Sequence, residues 1–406
     1  MLSAQSTAVV TATAGVVAEH AVEITSRFYP HMFEAHPELL GVFNRADQGR
    51  GEQAQALAAS VVAYAVNLID PDAPDFTPVL NRIAHKHVSL GITAEQYTIV
   101  GHHLMWAIGD VLGDAVTPEI AAAWDEVYWL FALQLVAEEA KLYAQNGLDP
   151  HQPWRDYRVA ERRDEVTVDG SPEVVTFVLA PVDGEPVPPH HPGQYVTVNP
   201  TLADGGTQPR QYTISAAPHT DSLQITVRRV REGDEGPAGL MSNHLIDECP
   251  EGTIIPTSIP CGDVVLDEDS TDPLVLVSAG VGITPMAAII DDLAARGSSR
   301  PVILAHADVS AATHPMYDAV KAGADTLQTA GSHLWYEDLE GAADREAVEG
   351  LMNLEYIDIP ADATVFMCGP LPFMREARRT LLDKGVSSEK MRYEVFGPDL
   401  WAQNPA

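Results

Sequence analysis

The apolar residues of this chain change their period twice, and that constrains its fold more than any single motif. From Ser3 to about Gln145 they recur at steps of three and four, the spacing of one helix face. Proline and glycine there are confined mostly to joints, at Pro37, Gly49 to Gly51, Pro71 to Pro78, Gly91 and Pro118. After the turn-forming stretch NGLDPHQP come short β-prone runs: Tyr157 to Val168, Glu173 to Leu179, Gln194 to Val198, Gln211 to Ile214, Leu223 to Val230 and one near Ile254. From Pro273 onward, buried strands (PLVLVSAG, PVILAHAD, SHLWYED, ATVFMCGP) alternate with helices, among them Met286 to Ala295 and Leu371 to Leu382. The pattern predicts a multidomain chain: an all-α domain over 1–145, a linker over 146–153, a small antiparallel β-barrel over 154–268 and a doubly wound α/β domain over 269–406. A length of 406 residues, too great for one core, agrees with that division.

Charge narrows the partners. A formal net charge of −34 argues against nucleic acid, whose phosphates it would repel, and against anionic membrane surfaces. Three scattered cysteines, Cys249, Cys261 and Cys368, make neither a disulfide framework nor a thiolate metal site, which fits a reducing compartment. The first residues lack a basic region and a cleavage site, and no apolar run approaches the roughly 18 residues of a membrane helix. A cytoplasmic protein without a membrane span is expected.

Four groups of residues carry chemistry. In LNRIAHKHVSLGI, Leu80, Ile83, Ala84 and His87 share one helical face, while His85 points elsewhere. A histidine on an apolar stripe is ordinarily a hydrogen-bonded core residue; it also suits haem iron, which asks the protein for one axial base. Tyr29, Phe43, and the i, i+4 pair Gln53 and Leu57 come from other helices and a corner, as a helical haem slot requires. In the barrel, PGQYVTV and RQYTIS offer a cation, a flat ring and hydroxyls in alternation (Arg210, Tyr212, Thr213), which is what a flavin dinucleotide needs. In the last domain, AGVGITPM joins a tight glycine turn to a helix start at Thr284–Pro285, and CGPLPFM ends a later strand, both at carboxyl ends where open sheets bind ligands.

The strings FYPHMFEAHPEL, VFN, GEQAQAL, KHVSLGI and EQYTIVGHHL resemble, in order and spacing, the globin domain of the bacterial flavohaemoglobins. The later strings resemble the FAD barrel and nicotinamide domain of the ferredoxin reductase superfamily, so the likeness spans essentially the whole chain. It implies haem b on His87, with Phe43 as wedge, Tyr29, Gln53 and Leu57 as distal pocket and Tyr97 supporting the histidine. It implies FAD on Tyr195, Arg210, Gln211, Tyr212 and Thr213, with Met241 and Ser242 opening a helix for the pyrophosphate. NADH or NADPH falls to Gly280, Val281, Gly282, Ile283, Thr284 and Pro285, with Cys368, Gly369 and Pro370 by the nicotinamide. At the C-terminus, within YEVFGPDLW, Phe396 covers the flavin and Glu394 lies between flavin and haem, flanked by Val395, Gly397 and Pro398. Lys86 matches the lysine that meets this glutamate and a haem propionate.

The implied activity is NAD(P)H-driven oxidation of nitric oxide by O2 to nitrate, electrons passing through FAD to haem. Two rivals keep the same cofactors: an NAD(P)H-dependent haem or peroxide reductase, and an oxygen- or NO-binding sensor. Two departures from the family pattern stand out. Pro30, inside a predicted helix, should kink it at a cost of about 3 kcal/mol if nothing compensates. Alignment on Tyr143 puts Lys141 where the family has the glutamate that bonds the proximal tyrosine, with Glu138 one turn away as a substitute. Asp308 would disfavour a 2′-phosphate if it faces the ribose. Oligomeric state and protein partners are open at this level.

Overall fold

The computed structural model describes residues 2–41, 52–219, 221–233, 237–327 and 330–396. The chain divides into two compact units, one of Met1–Trp154 with Thr201–Pro209, the other of Arg155–Pro200 with Arg210–Gly397.

The first unit is helical: α1 Ala4–Glu19, α2 Ala21–Ala35, α3 Glu52–Ile69, α4 Thr77–Leu90, α5 Gln96–Leu112 and α6 Pro118–Gln145. Their ends follow local chemistry. Ser3 and Thr117 cap α1 and α6, each side chain accepting from an amide three residues on, and Pro118 opens α6 where its missing N–H costs nothing. α4 stops at Gly91, whose φ of +71° lets the amides of Gly91 and Ile92 turn back onto the carbonyls of Val88 and His87. A Cβ on Gly91 would also lie 2.4 Å from Pro153. The core is one apolar cluster in which Val10, Ile24, Phe28, Met32, Ala107, Trp124, Val127 and Phe131 are nearly inaccessible. α2 runs through Pro30 as one helix. Pro30 and Ser26, whose carbonyl loses its donor, are both on the exposed face, where water can substitute for the missing N–H.

The second unit begins with six strands: β1 Arg155–Val168, β2 Ser171–Pro181, β3 Tyr195–Val198, β4 Arg210–Thr213, β5 Leu223–Arg228 and β6 Ile254–Thr257, with α7 Leu240–Glu248 before the last. All pair antiparallel in the order β4-β3-β6-β1-β2-β5. An isolated bridge from Ile214 to Ile225 joins the two ends, so the sheet is a nearly closed barrel. The long β1 lies between β6 and β2, pairing with β6 over Arg155–Arg158 and with β2 along most of its length, and its β2 ladder shifts register at Val159/Glu161, Asp164/Val166 and Val166/Thr167.

There follow β7 Leu274–Ala279, α8 Ile283–Ala295, β8 Val302–Ser310, α9 Tyr317–Thr326, β9 Ala330–Asp338, β10 Ala347–Glu349, β11 Thr364–Cys368, α10 Leu371–Asp383 and β12 Met391–Glu394. The strands are parallel in the order β10-β9-β8-β7-β11-β12, a doubly wound sheet. The three cysteines all lie buried and unpaired in this unit. Burial pushes the Cys249 thiol up to about 11 and the Cys261 thiol to about 12, and raises that of Cys368 well above its usual value.

Candidate functional site

His87 lies in the last turn of α4 with about a quarter of its side chain accessible. Its Nδ1 is 2.7 Å from Glu139 Oε1 and 2.8 Å from Tyr97 Oη, and the Tyr97 hydroxyl donates to the same carboxylate oxygen at 2.5 Å. A carboxylate only accepts, so the Nδ1 of His87 carries the proton and Nε2 is left as the atom able to ligate a metal. Burial, then the charge of Glu139, push the Tyr97 phenol pKa far up, so it stays a donor. The backbone of Tyr97 is itself held: Tyr128 Oη donates to its carbonyl at 2.5 Å. This set of side chains, from α4, α5 and α6, fits an axial imidazole with a fixed tautomer.

Tyr29 is buried on α2, edge-on to Phe28 and stacked with Phe33, and burial raises its pKa so that the hydroxyl keeps its proton. Leu57, half-buried on α3, lines an apolar cavity with Ile24, Val61, Leu104, Ile108 and Trp124. Gln53 falls on α3, but its side chain lies outside the described residues, as do Phe43, Gly397 and Pro398. Lys86 is exposed on α4 and His85 partly buried.

In the barrel, β3 and β4 pair Tyr195 with Thr213, Val196 with Tyr212, Thr197 with Gln211 and Val198 with Arg210. Arg210 and Tyr212 therefore share one face and are partly accessible, while Gln211 turns to the other and donates to Thr197 Oγ1 at 3.2 Å. A cation and a ring side by side fit a flavin dinucleotide. Met241 and Ser242 are buried in the first turn of α7, and Ser242 Oγ accepts from the amide of Val230 at 3.2 Å.

In the doubly wound sheet, two strand ends nearly touch. A Cβ on Gly282 would lie 2.3 Å from the carbonyl oxygen of Cys368, and one on Gly369 would lie 2.9 Å from the Phe373 ring and 3.2 Å from Ala279 Cβ. Gly280 adopts φ +54°. The Gly280–Gly282 turn leads directly into α8, where Ile283, Thr284 and Pro285 are buried, and Val281 supplies a carbonyl to Thr284 Oγ1 at 3.1 Å. Only side-chain-free residues let the two strand ends form one shallow floor at the carboxyl edge, the place where such sheets hold a pyrophosphate. Cys368 is fully buried at the end of β11, in register with Glu394 on β12, and Pro370 caps α10. Val395 and Phe396 follow, the latter about half exposed.

Residues 26–135 match the Globin family and residues 276–379 the oxidoreductase NAD-binding domain family. The chain is 42% identical to the flavohemoprotein of Chromobacterium violaceum, with 98% of each covered, and 39% identical to that of Rhizobium meliloti, covering 99% of this chain. This chain belongs to the flavohemoprotein family. A crystal structure of flavohemoglobin from Malassezia yamatoensis, with bound FAD and haem, superposes with a TM-score of 0.87 at 34% identity over 98% of this chain and all of that one. The FAD/NAD-binding domain of a nitric oxide dioxygenase from Vibrio cholerae gives 0.54 at 33% identity, covering 60% of this chain and 99% of that one.

For this flavohemoprotein, one reading of the sequence needs correction. The carboxylate bonded to Tyr97 is Glu139, not a residue missing at Lys141 or moved to Glu138. Lys141 and Glu138 pair with each other at 2.6 Å on the accessible side of α6. The signal was present in the sequence: Trp124, Tyr128, Phe131 and Leu135 form a stripe at steps of four, three and four, and the next step of four is Glu139. Alignment on Tyr143 alone hides it, because that residue serves another purpose, its hydroxyl donating to the carbonyl of Ile92 at 3.0 Å. Asp308, at the end of β8, has its side chain turned inward and only 6% exposed.

Proposed function

We propose that this flavohemoprotein is an NAD(P)H-dependent nitric oxide dioxygenase, carrying electrons from the nicotinamide through FAD to haem b and converting nitric oxide and O2 to nitrate. Nitrate is nitric oxide plus O2 plus one electron, so one hydride serves two turnovers. FAD supplies the step from hydride to single electrons, and haem supplies the one-electron centre where O2 is activated. The observation that carries the reading is the His87, Tyr97 and Glu139 set.

This chain's residues divide the work. Glu139 and Tyr97 hold the proton at Nδ1 of His87, which makes the imidazole a stronger donor through Nε2 and favours oxygen activation over mere storage. Tyr29, kept protonated by burial, can donate a hydrogen bond to an oxygen that gains negative charge. Arg210 and Tyr212 would hold the flavin, and the glycine floor of Gly280, Gly282 and Gly369 would admit the dinucleotide. The departure at Lys141 no longer stands, because the relay carboxylate is Glu139. The reading includes a cytoplasmic protein that does not span a membrane, supported by three unpaired, buried thiols and by α6, the longest apolar helix, turning Trp124, Val127, Phe131 and Leu135 into the core.

The test is turnover. Purified protein should show haem and flavin absorption together, and under O2 plus nitric oxide it should consume NADH continuously and release nitrate at two per NADH. A sensor would consume little NADH and release none, and either result would refute the assignment.

A further inference from the structure

We propose that Met316 is a positioning residue for hydride transfer, pinning the doubly wound sheet to the flavin barrel through Glu165 and Thr226. The proposal rests on the reading above, that the barrel holds FAD and the Gly280–Pro285 turn holds a nicotinamide dinucleotide.

Two backbone irregularities, one in each half of the second unit, meet each other. Among the described residues two non-glycines have positive φ, Asp169 at +50° and Met316 at +57°. Asp169 has a local cause: with Gly170 it makes the two-residue turn between β1 and β2, which calls for positive φ at both positions. Met316 instead precedes the first turn of α9, where a capping residue is ordinarily extended. A residue strained in this way persists where its surroundings over-determine it. On the barrel side, Asp164 pairs with Val175 and Val166 with Val174, so Glu165 is the extra residue of a bulge on β1. A bulge re-aims a side chain, and this one brings the Glu165 carboxylate to the Met316 amide, which donates to Oε2 at 3.2 Å.

The Met316 side chain joins the same two bodies. It belongs to the apolar cluster of the doubly wound domain with Ile290, Val320 and Leu327, while its Sδ accepts from Thr226 Oγ1 on β5 at 3.5 Å. Thr226 is itself fixed, its hydroxyl lying 2.8 Å from that of Thr176 and 2.9 Å from that of Ser215, all three buried. The loop before Met316 is equally tied to its own sheet. Thr313 Oγ1 donates to Asp308 at 2.6 Å, the Ala311 carbonyl accepts from Arg345 Nη1 at 3.0 Å, and His314 Nδ1 lies 2.8 Å from Tyr336 Oη. A second tie runs parallel to the first: the amide of Ala217, four residues beyond Thr213 of the flavin strand, donates to Asp291 of α8 at 2.8 Å.

Hydride transfer breaks the nicotinamide C4–H bond and bonds that hydrogen to flavin N5, the electron pair moving with it. The nicotinamide is oxidised, the flavin is reduced, and none of these side chains gains or loses a proton. The two atoms must come within about 3–3.5 Å, and a displacement of about 1 Å costs on the order of 100-fold in rate. One sheet holds the dinucleotide and the other the flavin, so whatever fixes the sheets to each other sets that distance. A contact of this kind acts on the limiting rate and leaves nucleotide affinity alone.

The experiment measures anaerobic flavin reduction by NADH in the full-length holoprotein by stopped flow, in Glu165→Ala, Glu165→Gln and Met316→Gly. Glu165→Ala removes the acceptor, Glu165→Gln keeps a carbonyl oxygen for the Met316 amide, and Met316→Gly relieves the left-handed residue and deletes its side chain. Glu165→Ala and Met316→Gly should lower the limiting rate roughly tenfold with the half-saturating NADH within about twofold of the unaltered protein, and Glu165→Gln should recover most of the loss. The long-wavelength charge-transfer absorbance of NAD+ on the reduced flavin, an equilibrium signal of how the two rings face each other, should weaken in the same two variants. Without nucleotide, amide hydrogen exchange over 311–317 should rise in Glu165→Ala. Met316→Gly empties part of a core, and if it does not fold, Glu165→Ala, whose side chain is partly accessible, carries the test. An unchanged limiting rate and absorbance in folded Glu165→Ala, or a loss that Glu165→Gln does not recover, would overturn the proposal. Failure of both NADH and NADPH to reduce the flavin of the unaltered protein would instead overturn the nucleotide site itself, and the proposal with it.

Discussion

Glu139 is a carboxylate only 3% exposed, and its burial is tolerable because two donors, Tyr97 Oη and His87 Nδ1, converge on one of its oxygens. Removing that charge is the sharpest residue-level test of the haem site. Glu139→Gln should leave haem bound through His87 but lower the iron–histidine stretch in the resonance Raman spectrum of the ferrous protein, and raise the haem midpoint potential. Lys141→Glu, out on the accessible side of the same helix, should move neither. A stretch that follows Lys141 and ignores Glu139 would refute the relay. The position of His87 was legible in the sequence because it ends the apolar stripe of Leu80, Ile83 and Ala84, whereas Tyr29 was singled out by the family resemblance. The partner of Tyr97 was legible by the same stripe rule, but a tyrosine nearby in sequence drew the alignment to the wrong turn. The contacts that Tyr97 and His87 make with Glu139 span 42 and 52 residues of chain, so the stripe on α6 is the local mark that separates Glu139 from Glu138.

At the scale of elements, close approach decides. α5 meets α6 where Gly101 faces Tyr128, and a Cβ at Gly101 would lie 2.4 Å from the Tyr128 ring. That ring cannot yield freely, since its hydroxyl is tied to the Tyr97 carbonyl. Gly101→Ala should therefore destabilise the protein by about 1–3 kcal/mol through overpacking and also disturb the haem absorption band through Tyr97. Thermal denaturation and the Soret position check the two effects; a destabilised protein with an unchanged Soret band would mean that Tyr128 does not position Tyr97. The glycines of AGVGITPM could be read in advance, because a turn between a strand and a helix advertises itself. Gly101 could not, since inside a helix nothing local separates a glycine that admits a neighbour from one that admits none. Gly109, eight residues on in the same helix, has nothing within 4 Å of its would-be Cβ. What offsets Pro30 was hidden for a similar reason, since only the fold shows that Pro30 and Ser26, whose carbonyl it deprives, are exposed to water.

Over the whole molecule, the three periodic regimes forecast helical, antiparallel and parallel architecture in the right order, because period is a property of each segment alone. Which strands pair was beyond that reading. The β3–β6 and β1–β6 neighbours join segments far apart in the chain, and only packing selects them. The burial of all three cysteines bears on survival in the chemistry the protein handles. Nitric oxide, O2 and their products attack thiolates, and a thiol kept protonated and out of reach of solvent presents almost none. The native protein should accordingly leave a disulfide reagent such as Ellman's unreacted, while the same protein in guanidinium should release three equivalents. Rapid native reaction at any of the three would contradict the burial described. A protein so constituted would work through a burst of nitrosative stress without needing a reductase of its own to repair it.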